Sequence, residues 1–245
     1  MKKVLEIFTF QGGYMGGVAT MVDAYIKGVK EFSCNNCKLT HLNISPTVNT
    51  GNGKIDNFAY IFTQRKAIRK YMDKNCFDVV HIHTSREFLF LKDVLLAKMI
   101  RKRYHTPVVM TIHVGSIHTV YSRIEWFKKR SIDLLNKYVD KTIFLSKVMC
   151  QDFIQTGLNA NSAVVLYNFY NFSTTRIQET QKSNILQLLY VGAIHREKGI
   201  VELLKALSEL PNFEYHLNVC GKFTDSSIKA VSYTHLRAHE TRHDL

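Results

Sequence analysis

The chain has 245 residues, 46% hydrophobic and 22% charged, a composition that excludes a disordered or collagenous polypeptide and suits one large core or two modest ones. Apolar runs fall short of the ~18 residues a membrane-spanning helix needs, and Met1-Lys2-Lys3 leads straight into a short apolar strand rather than a secretory leader, so a cytoplasmic protein is expected. Thirty-three basic residues against twenty acidic ones, a net charge of +13, suit an anionic ligand, a nucleic acid or an anionic membrane surface.

The first strand is expected from Val4 to Phe10. It runs into Gly12-Gly13-Tyr14-Met15-Gly16-Gly17-Val18, where the glycines leave backbone N–H groups free to approach a phosphate or a sugar hydroxyl. A helix is predicted from Gly17 to about Phe32, with Val18, Met21, Val22, Tyr25, Ile26 and Val29 on one face. Cys34-Asn35-Asn36-Cys37 has the spacing of a metal or redox pair. No second such pair completes a zinc site, and five scattered cysteines suit the reduced thiols of a cytosol.

Further strands are predicted at Lys38 to Ile44, Asp78 to His83, Val108 to His113, Thr142 to Leu145 and Ala163 to Tyr167. Helices lie between them near Ile55 to Met72, Glu87 to Tyr104, Arg123 to Tyr138 and Lys147 to Gln155. This alternation predicts an α/β fold, a parallel sheet with crossover helices. His81 and His83 are expected to point to opposite faces of their strand, which leaves His83, last in the strand, as the ligand-side candidate. Trp126-Phe127 followed by Lys128-Lys129-Arg130 has the composition of a helix lying against acidic headgroups, or of a solvated face with one aromatic tucked inward. Ser146 opens its helix as an N-cap or a ligand contact.

Apolar periodicity stops between Asn168 and Asn184, which marks a linker. A first domain is thus expected over residues 1–168, a linker over 169–184 and part of a second domain over 185–230. That second part opens with Leu188-Leu189-Tyr190-Val191-Gly192-Ala193-Ile194-His195-Arg196-Glu197-Lys198-Gly199-Ile200, a strand ending at a glycine, then a basic loop. A helix is predicted from Lys198 to Leu210 and a strand from Glu214 to Val219. Backbone N–H groups at a helix start, with a lysine beside them, can receive a phosphate.

This segment resembles the V-G-R-x-x-x-x-K-G signature of retaining glycosyltransferases of the family 4 type, which have the GT-B fold. The glycine-rich stretch, Asp78-Val79-Val80-His81-Ile82-His83, Thr111-Ile112-His113-Val114-Gly115, Leu145-Ser146 and Tyr167-Asn168-Phe169 fall in that family's order over residues 1 to about 222. The resemblance implies two Rossmann-like halves facing each other across a cleft, the second only begun here. It assigns Lys198 to the donor phosphates, with Gly192 before it. The family's arginine after that glycine is Ala193 in this chain, which leaves Arg196 or His195 to supply the cation. Gly16 and Gly17 match the paired glycines that touch donor or acceptor, and Gly12 and Gly13 lie beside them. His113 matches a histidine near the transferring sugar and is the catalytic candidate. His83, Ser146 and Asn168 are cleft candidates, Asn168 also as a hinge.

The resemblance therefore implies a metal-independent enzyme that moves a sugar from a nucleotide-diphosphate donor to a lipid-linked or polysaccharide acceptor in cell-surface glycan biosynthesis. No cofactor, no metal and no nucleic-acid partner are expected, while peripheral contact with an anionic membrane is. The family's paired glutamates are absent, and the string over 231–245 looks like translated adapter sequence. A truncated chain with a non-native tail and no turnover is expected, and His235, His239 and His243 are not read as metal ligands. The alternative is a basic Rossmann-like module that binds nucleic acid or an anionic surface without catalysis.

Overall fold

The computed structural model describes residues 1–8, 28, 36–44, 53–84, 89–113, 125–168, 185–209 and 214–223. The chain forms two compact units, Met1–Ser173 and Thr174–Leu245. The predicted helix from Gly17, the 169–184 linker and the 231–245 tail lie outside the described residues, apart from Gly28, which is helical.

In the first unit the elements run β1 (Lys2–Phe8), β2 (Cys37–Asn43), α1 (Gly53–Met72), β3 (Val79–Thr84), α2 (Leu89–Tyr104), β4 (Val108–Ile112), α3 (Glu125–Tyr138), β5 (Lys141–Phe144), α4 (Lys147–Gln155) and β6 (Ala163–Val165). The strands form one parallel sheet in the order β2-β1-β3-β4-β5-β6. Strand boundaries fall one or two residues from those the sequence predicts, as expected where ends are set by hydrogen bonding and not by side-chain pattern.

Two aspartates anchor the amino ends of these strands. Asp78, just before β3, accepts the backbone N–H of Lys3 on β1 at 2.7 Å, and Asp140, just before β5, accepts that of Val108 on β4 at 2.8 Å. Each carboxylate satisfies a donor that the sheet ladder leaves unpaired. One sheet face is apolar, with Leu5, Ile7, Val80, Ile82, Met110 and Phe144 all buried. Phe153 of α4 is fully buried between Phe90 and Phe144, at ring-centroid distances of 6.0 and 5.0 Å. At the head of α2, Lys92 and Asp93 are buried together as an ion pair at 2.9 Å.

The second unit holds β7 (Leu186–Val191), α5 (Ile200–Ser208) and β8 (Tyr215–Cys220), with β7 and β8 paired in parallel and the ladder continued by a bridge from Ile194 to Phe223. Ile194, Ile200 and Val201 form its small core. Leu189 and Val191 stand 67% and 72% exposed on the other face of the sheet. The predicted helix start at Lys198 is instead a 3₁₀ turn over Arg196–Lys198, and α5 begins at Ile200. The cause is Gly199, which sits in the left-handed region at φ 74°, where a side chain would be disfavoured and a continuous right-handed helix cannot pass.

Candidate functional site

Strand register assembles the site in the first unit. On β1, Glu6 pairs with His41 on β2 and with His81 on β3, so three polar side chains cross the sheet in a row. Side chains alternate along a strand with a period of two, and His83 therefore lies on the same face one step further on. The expectation that His81 and His83 diverge is corrected: residues two apart share a face, their rings lie 4.2 Å apart, and both reach the same carboxylate.

That carboxylate is Glu6, fully buried in the middle of an apolar strand. Its Oε1 lies 3.3 Å from His81 Nδ1 and 3.3 Å from His83 Nε2, and its Oε2 lies 2.8 Å from His41 Nδ1, close as an ion pair but without hydrogen-bond alignment. Burial pushes the Glu6 pKa up, but hydrogen bonds from His81 and His83 outweigh it and hold the pKa at about 2.

From Glu6 two arms reach β4. His81 Nε2 meets the Thr111 hydroxyl at 2.7 Å, and His83 Nδ1 meets His113 Nε2 at 3.1 Å. Burial lowers the pKa of His83 against the pull of Glu6. Burial, with the nearby charges of His83 and His81, lowers that of His113 to about 3. The arrangement is a line of imidazole rings with a buried anion at one end and His113, just past the carboxyl end of β4, at the other.

Glu6, His81 and His83 also place one ligand atom each within 4.8 Å of one another, a donor set that would suit a zinc-type ion. Glu6 Oε1 already meets His83 Nε2 and His81 Nδ1, while Glu6 Oε2 is buried without a hydrogen-bond partner among the described residues. Glu6, His41, His81 and Thr111 were absent from the sequence-derived candidates, although a carboxylate inside Val4-Leu5-Glu6-Ile7-Phe8 was a legible signal.

Of the other candidates in this unit, Ser146 is the N-cap of α4, its Oγ accepting the Met149 N–H at 3.2 Å, and Asn168 is exposed just beyond β6. Gly12, Gly13, Gly16 and Gly17 lie outside the described residues. Trp126 is 67% exposed with Lys129 and Arg130 also exposed, but Lys128 is buried and turned onto Glu125 at 3.4 Å. The expected three-cation patch is thus reduced to two. Cys76, Cys150 and Cys220 are free thiols.

In the second unit the basic loop is held by its backbone. The N–H of Gly192 donates to the Cys220 carbonyl at 3.0 Å and that of Ile194 to Lys222 at 2.9 Å, while the Tyr190 hydroxyl donates to the Ala193 carbonyl at 3.1 Å. Gly192 and Gly221 pass so close that a Cβ on Gly221 would collide with the Gly192 carbonyl oxygen. On this frame Arg196 and Lys198 are exposed at the two ends of the 3₁₀ turn, with His195 as its half-buried N-cap. The loop therefore presents two exposed cations on a hydrogen-bonded backbone, a device suited to a diphosphate.

Residues 38–173 match the model of Glycosyltransferase Family 4. Among curated proteins, an uncharacterized 41.2 kDa protein in the cps region of Klebsiella pneumoniae is 26% identical over 165 residues, 63% of this chain and 45% of that protein. Among solved structures, the apo form of the lipopolysaccharide outer core galactosyltransferase WaaB superposes with a TM-score of 0.63 at 16% identity, over 96% of this chain and 64% of that one. Anabaena Alr3699/HepE in complex with UDP-glucose gives 0.61 at 14%, over 97% and 66%. The catalytic domain of Starch Synthase IV from Arabidopsis thaliana, bound to ADP and acarbose, gives 0.65 at 10%, over 100% and 75%. The chain thus spans less than half of the Klebsiella relative and about two thirds of the first two structures. At these identities the likeness to the solved structures shows a shared fold, the α/β GT-B type.

Proposed function

The chain belongs to glycosyltransferase family 4, and from that premise we propose that it is part of a retaining enzyme that moves a sugar from a nucleotide-diphosphate donor to a lipid-linked or polysaccharide acceptor in cell-surface glycan biosynthesis. The observation that carries this reading is the rigid basic loop of the second unit, with exposed Lys198 and Arg196 ahead of α5. HepE, solved with UDP-glucose and with UDP, and the Klebsiella relative from a cps region support the donor class and the setting.

In the proposed reaction the bond from the anomeric carbon to the diphosphate oxygen breaks with its electron pair going to that oxygen, and an acceptor hydroxyl bonds to the carbon and passes its proton to the departing diphosphate. Lys198, assisted by Arg196, neutralises the growing charge, so the reading needs no metal. His113 contacts the sugar, with Gly16, Gly17, Gly12 and Gly13 beside donor or acceptor. The cytoplasmic setting and a peripheral membrane contact through Trp126, Lys129 and Arg130 are part of the same proposal. Among the described residues no helix is long and apolar enough to cross a membrane.

Saturation-transfer NMR with UDP-glucose tests the reading. Transfer to both the uridine and glucose protons, displaced by UDP and persisting at moderate salt, is the expected outcome. Absence of transfer, with salt-sensitive binding to duplex DNA instead, would replace it with the non-catalytic basic module.

A further inference from the structure

An ionised carboxylate can only accept hydrogen bonds, so a ring nitrogen bonded to it must carry the proton. Glu6 is such a carboxylate, buried and held ionised by its neighbours. His83 Nε2, 3.3 Å from Glu6 Oε1, is therefore the N–H nitrogen of its ring. In a neutral imidazole the other nitrogen then holds the lone pair, which places an acceptor at His83 Nδ1. His113 Nε2 lies 3.1 Å from that acceptor and has to donate to it. The proton of neutral His113 is thus on Nε2, and Nδ1 is left with a lone pair. Among the described residues no hydrogen bond reaches that Nδ1.

The parallel arm obeys the same rule. His81 turns Nδ1 to Glu6, its Nε2 becomes the acceptor, and the Thr111 hydroxyl donates to it at 2.7 Å. The opposite polarity would need a charged His83, which would donate from both nitrogens and drive the His113 proton to Nδ1. Burial disfavours that charge, despite the carboxylate beside it.

We propose that Glu6, acting through His83, is a positioning residue that fixes His113 as the Nε2–H tautomer and so presents His113 Nδ1 as an acceptor for a hydroxyl of the bound sugar. The hydroxyl clause rests on the reading of His113 as a sugar contact; the tautomer does not. The logic is that of a buried carboxylate orienting an imidazole, extended by one ring.

Long-range proton–nitrogen correlation spectra of the 245-residue chain, labelled with nitrogen-15 in histidine and recorded near pH 7.5, report which nitrogen of each ring bears hydrogen. Nε2–H is expected to dominate at His113 by about tenfold or more, the factor a hydrogen bond into a charge-anchored chain supports. In the isosteric Glu6→Gln variant this preference should fall roughly threefold or more, since a neutral amide holds His83 less firmly. If that variant does not fold, His83→Phe, which keeps the ring and removes the acceptor, serves as the second test, with the same expected fall. A wild-type His113 protonated at Nδ1, or a preference unmoved in a folded variant, overturns the positioning role. Excess UDP-glucose should then shift the His113 Nδ1 resonance. An intact tautomer with no such shift sinks the sugar-contact reading and the hydroxyl clause with it, and leaves Glu6 as the residue that sets the tautomer.

Discussion

His83 and His113 stack at a centroid distance of 5.4 Å and 23° between planes, joined by the 3.1 Å contact from His113 Nε2 to His83 Nδ1. They come from adjacent parallel strands, and the Glu6 carboxylate behind His83 polarises the pair. Among the described residues, the polar groups gathered around them are Glu6, His41, His81 and Thr111.

The first consequence is a dependence of stability on pH. His113 is held at about 3 in the fold against 6.5 as its reference, so between those values the unfolded chain binds a proton that the folded chain refuses. The stabilisation is fully present above about pH 6.5 and is lost as pH falls toward 3, with a slope of at most about 1.4 kcal/mol per pH unit. Glu6, lowered from 4.5 to about 2, acts in the same direction further down: its contribution is present above 4.5 and lost as pH falls through 2. The urea midpoint of the first unit should therefore fall steadily from pH 7 to pH 4. A midpoint that is flat or rises on acidification would contradict the neutral-ring assignment.

Phe153 is predicted to be the costliest single truncation in the first unit. It fills the space between Phe90 and Phe144 with no exposed surface. Phe153→Ala should lower stability by about 3–5 kcal/mol, and Phe153→Leu by much less. Urea unfolding followed by circular dichroism checks this, and a loss under about 1 kcal/mol for the alanine variant would mean that the site collapses without a cavity.

In the second unit, Gly221→Ala and Gly199→Ala should differ sharply. At Gly221 the added carbon meets the backbone oxygen of Gly192, which cannot move without breaking the β7–β8 ladder. At Gly199 the space is open and only the left-handed backbone resists, a cost of about 1 kcal/mol. Hydrogen exchange of the β7 and β8 amides should accelerate greatly in Gly221→Ala and slightly in Gly199→Ala. Equal effects would show that the close approach relaxes.

The aromatic and basic face of α3 should bind anionic vesicles at low salt through Trp126, Lys129 and Arg130, and release them as screening rises. Lys129→Glu with Arg130→Glu should abolish co-sedimentation. Retention by neutral vesicles, or indifference to the reversal, returns this face to ordinary solvation.

The alternation of strands and helices was legible because apolar runs of strand length alternate with helical periodicity, whereas the strand order, with β1 between β2 and β3, came only from the structure. His83, His113 and Lys198 were legible as motif residues. The carboxylate that ties the histidines together was not found, because Glu6 touches His81 and His83 only through strand register across 75 and 77 residues of chain. His81 was set aside through a wrong facing, which the two-residue period corrects. Lys128-Lys129-Arg130 after Trp126-Phe127 read as one three-cation patch, but position 128 falls on the buried stripe with Ser131, Ile132 and Leu135, and the lysine there is drawn to Glu125. The helix start was placed at Lys198, two residues before Ile200, because Gly199 left no apolar signal of its own.

The central claim, a nucleotide-diphosphate sugar held by the basic loop, is tested most directly by calorimetric titration of UDP-glucose into the chain and into its Lys198→Ala and Arg196→Ala variants. Saturable binding that UDP displaces is predicted, weakened about tenfold or more by Lys198→Ala and less by Arg196→Ala, as loss of a charge-assisted phosphate contact requires. Binding unchanged in Lys198→Ala, or no binding of UDP-glucose or UDP at millimolar concentration, would contradict it.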